Sequence, residues 1–206
     1  MPRRPRLQSP DVLYHVTSRG VDKRDIFIGT RTYVAFLDTL DQTVSRYGWI
    51  CHAYCLMRNH FHLVVETPQS NISAGMQFLK GEYASWFNFT VGREGALYER
   101  RFHEVVAEDE AHAIALGRYL ALNPVRTGWV PEPEDWLWSS YAATIGLAPR
   151  PRFLSTDLTL GLFGGGAGAA ERFAAYVAEA TVLSREVASR DGASGFEPGW
   201  LVPLAA

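Results

Sequence analysis

The chain has 206 residues, of which 47% are apolar, and its formal net charge at pH 7 is -2. This length is enough for one domain with a sizeable core plus an appendage. No apolar run approaches the roughly 18 residues of a membrane span, and no apolar signal core follows the basic start of the chain. We therefore expect a soluble, cytoplasmic protein with no membrane partner.

The two cysteines, Cys51 and Cys55, fall on one predicted strand. Four residues apart in an extended chain, they are too distant to form a disulfide without distortion. Because the other ligands of a zinc site are missing, we expect two buried, reduced thiols.

The apolar periodicity predicts the strands and helices in chain order. They are a strand over 11–18, a helix over 30–47, hairpin strands over 49–57 and 60–67, a helix from 70 or 71 to 91, a strand over 102–107 and a helix over 109–122. We expect Asn123 and Pro124 to stop the last helix, because the residue before a proline disfavours helical geometry.

This order predicts an α+β fold with a ferredoxin-like βαββαβ core, in which two helices cover one face of an antiparallel sheet. A third helix and a C-terminal helical extension follow this core. Another small α+β sandwich is the alternative. We place the first domain at 1–145, ending in an irregular aromatic segment. The partly helical extension covers 146–206, with one or two terminal helices over 169–187.

The segment His60-Phe61-His62 lies on the second strand of the predicted hairpin. Side chains alternate along a strand, so both imidazoles point to the same face. Such a pair can chelate a divalent cation. On its own, the pattern equally describes two surface histidines beside a turn.

Tyr119 and Asn123 are four residues apart at the end of the helix predicted over 109–122, so they share one face. A phenol has an ordinary pKa of about 10 and is a poor nucleophile at neutral pH. It becomes an effective nucleophile when it is oriented and its target is polarised by a cation. In isolation, Tyr119 reads as a core aromatic on an amphipathic helix.

These motifs occur in one order with further stretches that together resemble a known family. The stretches are Tyr-His-Val-Thr-Ser-Arg-Gly at 14–20, residues 53–68 around the two histidines, Arg-Tyr-Leu-Ala-Leu-Asn-Pro-Val-Arg-Thr-Gly at 118–128, and Trp-Ser-Ser-Tyr at 138–141. The chain resembles the IS200-like, single-tyrosine transposases of the HUH nuclease superfamily, and more closely the REP-associated tyrosine transposases.

The resemblance implies roles for individual residues. His60 and His62 match the metal-binding pair, Asn123 matches the third protein ligand, and Tyr119 matches the nucleophile. It implies Mg²⁺ or Mn²⁺ as the cofactor, although two imidazoles and an amide equally suit Zn²⁺ or Ni²⁺. It also implies single-stranded or hairpin DNA as the substrate, a 5′-phosphotyrosine intermediate, and a monomer in preference to a homodimer.

Basic side chains are the expected contacts to DNA phosphates, because local charge is what a phosphate backbone meets. The candidates are Arg3, Arg4, Arg6, Arg19, Arg24, Arg58, Lys80, Arg101 and Arg126. Trp136, Trp138 and Tyr141 are candidates for stacking on unpaired bases, with packing in the core as the competing role. Arg58 stands where relatives often carry proline, and this difference affects DNA preference more than chemistry.

Two other functions compete with a tyrosine-dependent DNA nuclease and strand transferase. One is a domesticated protein that binds hairpin DNA and no longer cuts it. The other is a metal hydrolase with a water nucleophile, which would keep cutting after Tyr119→Phe.

Overall fold

The computed structural model describes residues 10–190, apart from the side chains of residues 187, 188 and 190. The strands and helices of this range are β1 (Leu13–Arg19), α1 (Thr30–Tyr47), β2 (Ile50–Met57), β3 (His60–Glu66), α2 (Ile72–Val91), β4 (His103–Val106), α3 (Glu110–Arg126), α4 (Tyr141–Thr144), α5 (Asp157–Leu162) and α6 (Ala169–Arg190). The first six elements run βαββαβ, which confirms the predicted order and fold class.

The four strands form one antiparallel sheet in the order β2-β3-β1-β4. Arg58 and Asn59 form the turn of the predicted β2–β3 hairpin. β1 lies inside the sheet, between β3 and β4. Its register against β3 pairs Thr17 with His62 and Arg19 with His60. The histidine motif is therefore held in an inner strand pair.

One face of the sheet packs against α1 and α2 and holds the main core. Tyr14 and Val16 of β1 and Phe61 and Leu63 of β3 are fully buried there. Their alternate spacing follows from the two-residue period of a strand. Phe36 of α1 reaches this layer, with its ring centroid 4.8 Å from that of Phe61.

The opposite face of the sheet packs against α3. Leu116 and Leu120 of α3 form a second core cluster with Cys55 of β2 and Val64 of β3. A register shift between Cys51 and Ala53 places Cys51 in the main core instead. Both cysteines are buried and free, as predicted.

The expectation that α3 stops at Asn123 and Pro124 was wrong. The helix runs through Pro124 to Arg126, and residues 120–125 are buried. Its C-cap is Thr127, and the following residue, Gly128, has a left-handed φ of 71°. The Gly128 N–H donates to the Val125 carbonyl and the Trp129 N–H to the Pro124 carbonyl, which is a Schellman motif. Burial of the last turn and this cap offset the loss of one helical hydrogen bond at proline.

The C-terminal half packs against α3 and along one edge of the sheet. α6 packs on α3 through a third cluster that includes Leu122, Tyr141, Phe173 and Val177. Residues 138–140 and 154–155 hydrogen-bond to the outer edge of β2. The segment over 125–145, predicted as irregular, contains a 3-10 turn and the short helix α4. Among residues 10–190, no helix is long and apolar enough to cross a membrane.

Candidate functional site

The strand β3 presents His60 and His62 to the face that α3 covers. His60 is half-buried at the start of the strand, and His62 is only 5% exposed. Their ring centroids are 4.9 Å apart. The predicted side-by-side arrangement of the two imidazoles is therefore present in the structure.

His62 is held through both ring nitrogens. Its Nδ1 lies 3.0 Å from Nε2 of His15, and the two rings stack with centroids 5.2 Å apart. Its Nε2 lies 3.3 Å from the amide Nδ2 of Asn123. These contacts are all satisfied when Nδ1 of His62 donates to His15 and its Nε2 carries the lone pair. That tautomer leaves Nε2 as the nitrogen able to bind a cation.

Burial keeps both stacked imidazoles neutral. It lowers the pKa of His62 well below the ordinary value, and the neighbouring His60 and His15 lower this pKa further. Burial also lowers the pKa of His15 to about 4. Desolvation disfavours the charged form of an imidazole, so both rings are unprotonated at neutral pH.

His60 is oriented by the hairpin turn. Its Nδ1 lies 2.7 Å from Oδ1 of Asn59, which fixes Nδ1 as the donor. The turn itself is anchored, because the Asn59 amide donates to the Lys23 carbonyl. The Arg58 carbonyl accepts from the backbone N–H groups of Ile26 and Phe27. These bonds hold the turn in place.

The side chains of Tyr119 and Asn123, both on α3, lie against His62 of β3. The Tyr119 ring lies edge-on to the rings of His62 and His15, with centroids 5.5 and 5.9 Å apart. Burial raises the pKa of the Tyr119 phenol, while the Arg126 charge and a hydrogen bond from Asn123 oppose the rise. The Arg126 guanidinium lies 5.8 Å from the centre of the Tyr119 ring. Four residues predicted from two distant segments thus meet at one place.

The donor set at this place fits a divalent cation. Within residues 10–190, no group of three or more His, Cys, Asp or Glu side chains is arranged to hold a metal. The available ligands are the imidazoles of His60 and His62 and the amide of Asn123. Rotation of that amide exchanges its nitrogen for its oxygen, which is the atom that coordinates cations.

The predicted basic residues fall into four groups. Arg19 pairs with His60 across the strands, and Arg126 and Arg58 flank the site at the end of α3 and at the hairpin turn. Arg24 and Arg101 are exposed on connections. Lys80 lies on α2, beneath the other face of the sheet, and donates to the Arg100 carbonyl. The predicted contacts of the N-terminal arm, Arg3, Arg4 and Arg6, lie outside the described residues.

The aromatic residues singled out in the sequence are packed against the fold. Trp138 stacks on Tyr33 with centroids 4.3 Å apart, and Tyr141 is buried beside Phe173. The indole Nε1–H of Trp136 donates to the Leu56 carbonyl over 3.1 Å. The structure thus assigns these three side chains to packing, the competing role considered for them.

Sequence reasoning missed His15 and Asn59, which orient the two histidines. A signal for His15 was present, because it lies two residues before Thr17 on β1 and so shares its face. Its contact with His62 depends on pairing between strands 47 residues apart. No local pattern reports that pairing.

Comparison with known proteins places the chain in a family. Residues 8–123 match the family described as IS200-like transposases, which is more than half of the chain. The chain therefore belongs to the IS200-like transposase family. A Haemophilus influenzae protein that carries the provisional name REP-associated tyrosine transposase is 26% identical over 117 residues. This match covers 52% of the present chain and 66% of that protein, just under two thirds of its length.

A solved structure shows the same fold. A REP-associated tyrosine transposase bound to a REP hairpin superposes with a TM-score of 0.62 at 19% identity, covering 77% of this chain and 94% of that one. A crystal structure of a Deinococcus radiodurans protein, provisionally described as a transposase, gives a TM-score of 0.42 at 17% identity over 56% of this chain and 93% of that one. The first superposition supports the fold. The TM-score of the second is too low to add support.

Proposed function

We propose that this protein is a metal-dependent endonuclease and strand transferase for single-stranded DNA, acting at hairpin or palindromic sequences. The observation that carries the proposal is the meeting of Tyr119 with His62 and Asn123 on one sheet face. A protein that only binds DNA needs no tyrosine beside paired imidazoles. Family membership over residues 8–123 supports the same class of chemistry.

We infer that His60, His62 and Asn123 bind Mg²⁺ or Mn²⁺. A bound cation supplies charge to neutralise the scissile phosphate and to orient it. His15 and Asn59 hold the two imidazoles in the tautomers that bind metal. The neutral ligand set leaves the full charge of the cation for the phosphate.

Tyr119 is the proposed nucleophile. Its phenolic oxygen forms a bond to phosphorus as the bond from phosphorus to the 3′ oxygen breaks, giving a 5′-phosphotyrosine and a free 3′-hydroxyl. The phenol proton leaves and the 3′ oxygen gains one, so protons balance. Arg126 favours the phenolate over the phenol, against the effect of burial. The retained phosphodiester bond allows rejoining without an energy source.

The arrangement of the site also supports a proposed substrate and oligomeric state. Arg19, Arg58 and Arg126 surround the site with positive charge, which suits a phosphate backbone. The solved relative bound to a REP hairpin supports hairpin DNA as the partner. Because Tyr119 reaches the histidines of its own chain, a monomer holds a complete site, and we propose a cytoplasmic monomer.

A gel assay for covalent adducts tests this function. The protein is mixed with 5′-labelled or 3′-labelled hairpin oligonucleotides from the DNA flanking its own gene, with Mn²⁺ or EDTA. We expect a Mn²⁺-dependent, SDS-stable adduct on the 3′-labelled strand. Tyr119→Phe should abolish it and keep DNA affinity within about twofold, because one hydroxyl contributes little to binding a long strand.

A matched control is Tyr47→Phe, which removes the same hydroxyl from a half-buried tyrosine on α1, across the sheet. It should leave the adduct unchanged. Cleavage that persists without an adduct in Tyr119→Phe would indicate a water nucleophile. Binding by the wild-type protein without any cleavage would indicate a domesticated hairpin-binding protein.

A further inference from the structure

Trp129 is a large aromatic side chain exposed beside the site. It is 44% exposed, although its backbone is fixed. Its N–H donates to the Pro124 carbonyl over 2.9 Å as the last bond of the cap on α3. The left-handed Gly128 turns the chain so that Trp129 follows the helix that carries Tyr119 and Asn123.

The indole is also supported from the side. Its ring centroid lies 6.0 Å from that of Trp136, at an interplanar angle of 55°. Trp136 is anchored to β2 through its hydrogen bond to the Leu56 carbonyl. A second contact comes from Tyr33, edge-on to Trp136 with centroids 6.4 Å apart. Trp129 therefore presents a flat, exposed surface on a rigid base.

Arg58 completes this surface. Its guanidinium carbon lies 5.0 Å from the centre of the Trp129 ring, and the group is paired with Asp25. Arg58 is two residues from His60 on the hairpin, and Trp129 is three residues from Arg126. The contact between Arg58 and Trp129 therefore lies between the hairpin that carries His60 and the end of the helix that carries Tyr119. A DNA strand bound at the site would continue past this contact.

We propose that Trp129 and Arg58 form a stacking platform for one unpaired base flanking the scissile phosphate. This inference rests on the proposed function. Indole and guanidinium planes both stack on nucleobases, and stacking tolerates any base because every base has a π face. Arg126 lies against Tyr119 at the same site, and its charge favours a nucleic acid over an uncharged protein partner. Trp129 is a binding residue in this proposal, separate from the catalytic group.

An abasic scan of the DNA tests the platform. Hairpin oligonucleotides with a single abasic site at each position of the unpaired flank are titrated against the protein in EDTA, so that no cleavage occurs. In the wild type, we expect one position at which base removal weakens Kd roughly tenfold. In Trp129→Ala, the intact oligonucleotide should bind roughly tenfold more weakly, and base removal there should cost nothing more. Trp129→Phe should restore most of the loss.

The control is Phe89→Ala, which removes a 90% exposed aromatic from α2 on the opposite layer. It should leave both affinity and the abasic profile unchanged. Tight binding with an abasic profile identical in wild type and Trp129→Ala would overturn the platform alone. Failure of the wild type to bind any hairpin oligonucleotide would overturn the proposed function together with it.

Discussion

At the scale of residues, the site depends on side chains outside the proposed set of metal ligands. His62 has one nitrogen occupied by His15 and the other directed at Asn123. With the Asn123 amide nitrogen donating to Nε2, the His62 proton lies on Nδ1, and Nε2 is the nitrogen that can accept a cation. The metal binding that we propose for His62 therefore depends on His15.

His15→Phe tests this dependence. Phenylalanine keeps a ring against His62 but removes the acceptor, so His62 is no longer held in one tautomer. We expect affinity for Mn²⁺ to fall roughly 10- to 100-fold, the usual effect of removing such a support. Titration of the DNA-free protein with Mn²⁺, followed by electron paramagnetic resonance, measures this directly.

The control is His112→Gln, at a histidine of α3 whose ring accepts from the Glu108 N–H instead. It should leave Mn²⁺ affinity unchanged. Equal affinities in His15→Phe and wild type would mean that His62 is not a metal ligand or needs no support.

At the scale of elements, α3 is the part of the fold that brings the two halves of the site together. It carries Tyr119 and Asn123, and its last turn is buried despite Pro124. The cap at Gly128 closes that turn in a left-handed conformation that a side chain disfavours. The position of Asn123 thus depends on a glycine five residues later.

Gly128→Ala should lower the free energy of unfolding by roughly 1–2 kcal/mol, the cost of a side chain in left-handed geometry. Gly81→Ala is the matched control, since Gly81 lies within α2 with open space around its Cα. That change should raise stability by roughly 0.5–1 kcal/mol, because alanine is the better helix former. Urea unfolding of both variants measures the difference. A stabilised Gly128→Ala would show that the cap is absent in solution.

At the scale of the whole molecule, the C-terminal half is bound to the sheet through its edge strand. The Ser155 N–H donates to the Cys51 carbonyl of β2. His52, the residue after Cys51, lines a cavity together with Leu158 and Leu162 of α5. His52 is 5% exposed and lies 3.2 Å from Glu66. Burial lowers its pKa below 6.5, and the hydrogen bond and charge of Glu66 oppose this only in part.

This burial predicts a pH dependence of stability. Below pH 6.5 the unfolded chain protonates His52 before the folded protein does, so the unfolded state binds more protons. The free energy of unfolding should therefore fall as the pH is lowered from 7.5 to 5.5. In His52→Gln the fall should be smaller, because this linked proton is removed. Urea unfolding at each pH checks this, and an unchanged slope in the variant would contradict a buried neutral His52.

The amino-acid sequence by itself determined the order of strands and helices, the hairpin around His60 and His62, and the shared face of Tyr119 and Asn123. Each of these follows from local periodicity and turn chemistry, which act over a few residues. The end of α3 does not follow from local signals, because burial of its last turn and the cap at Gly128 outweigh the local effect of proline.

Only the tertiary structure decided which distant groups meet. The contact of His15 with His62, the placement of α3 over β3, and the pairing of Arg58 with Trp129 each join segments that are 47 or more residues apart. Such contacts depend on strand order and on which sheet face a helix covers. These properties come from packing the whole chain into one core, so no short stretch of sequence encodes them.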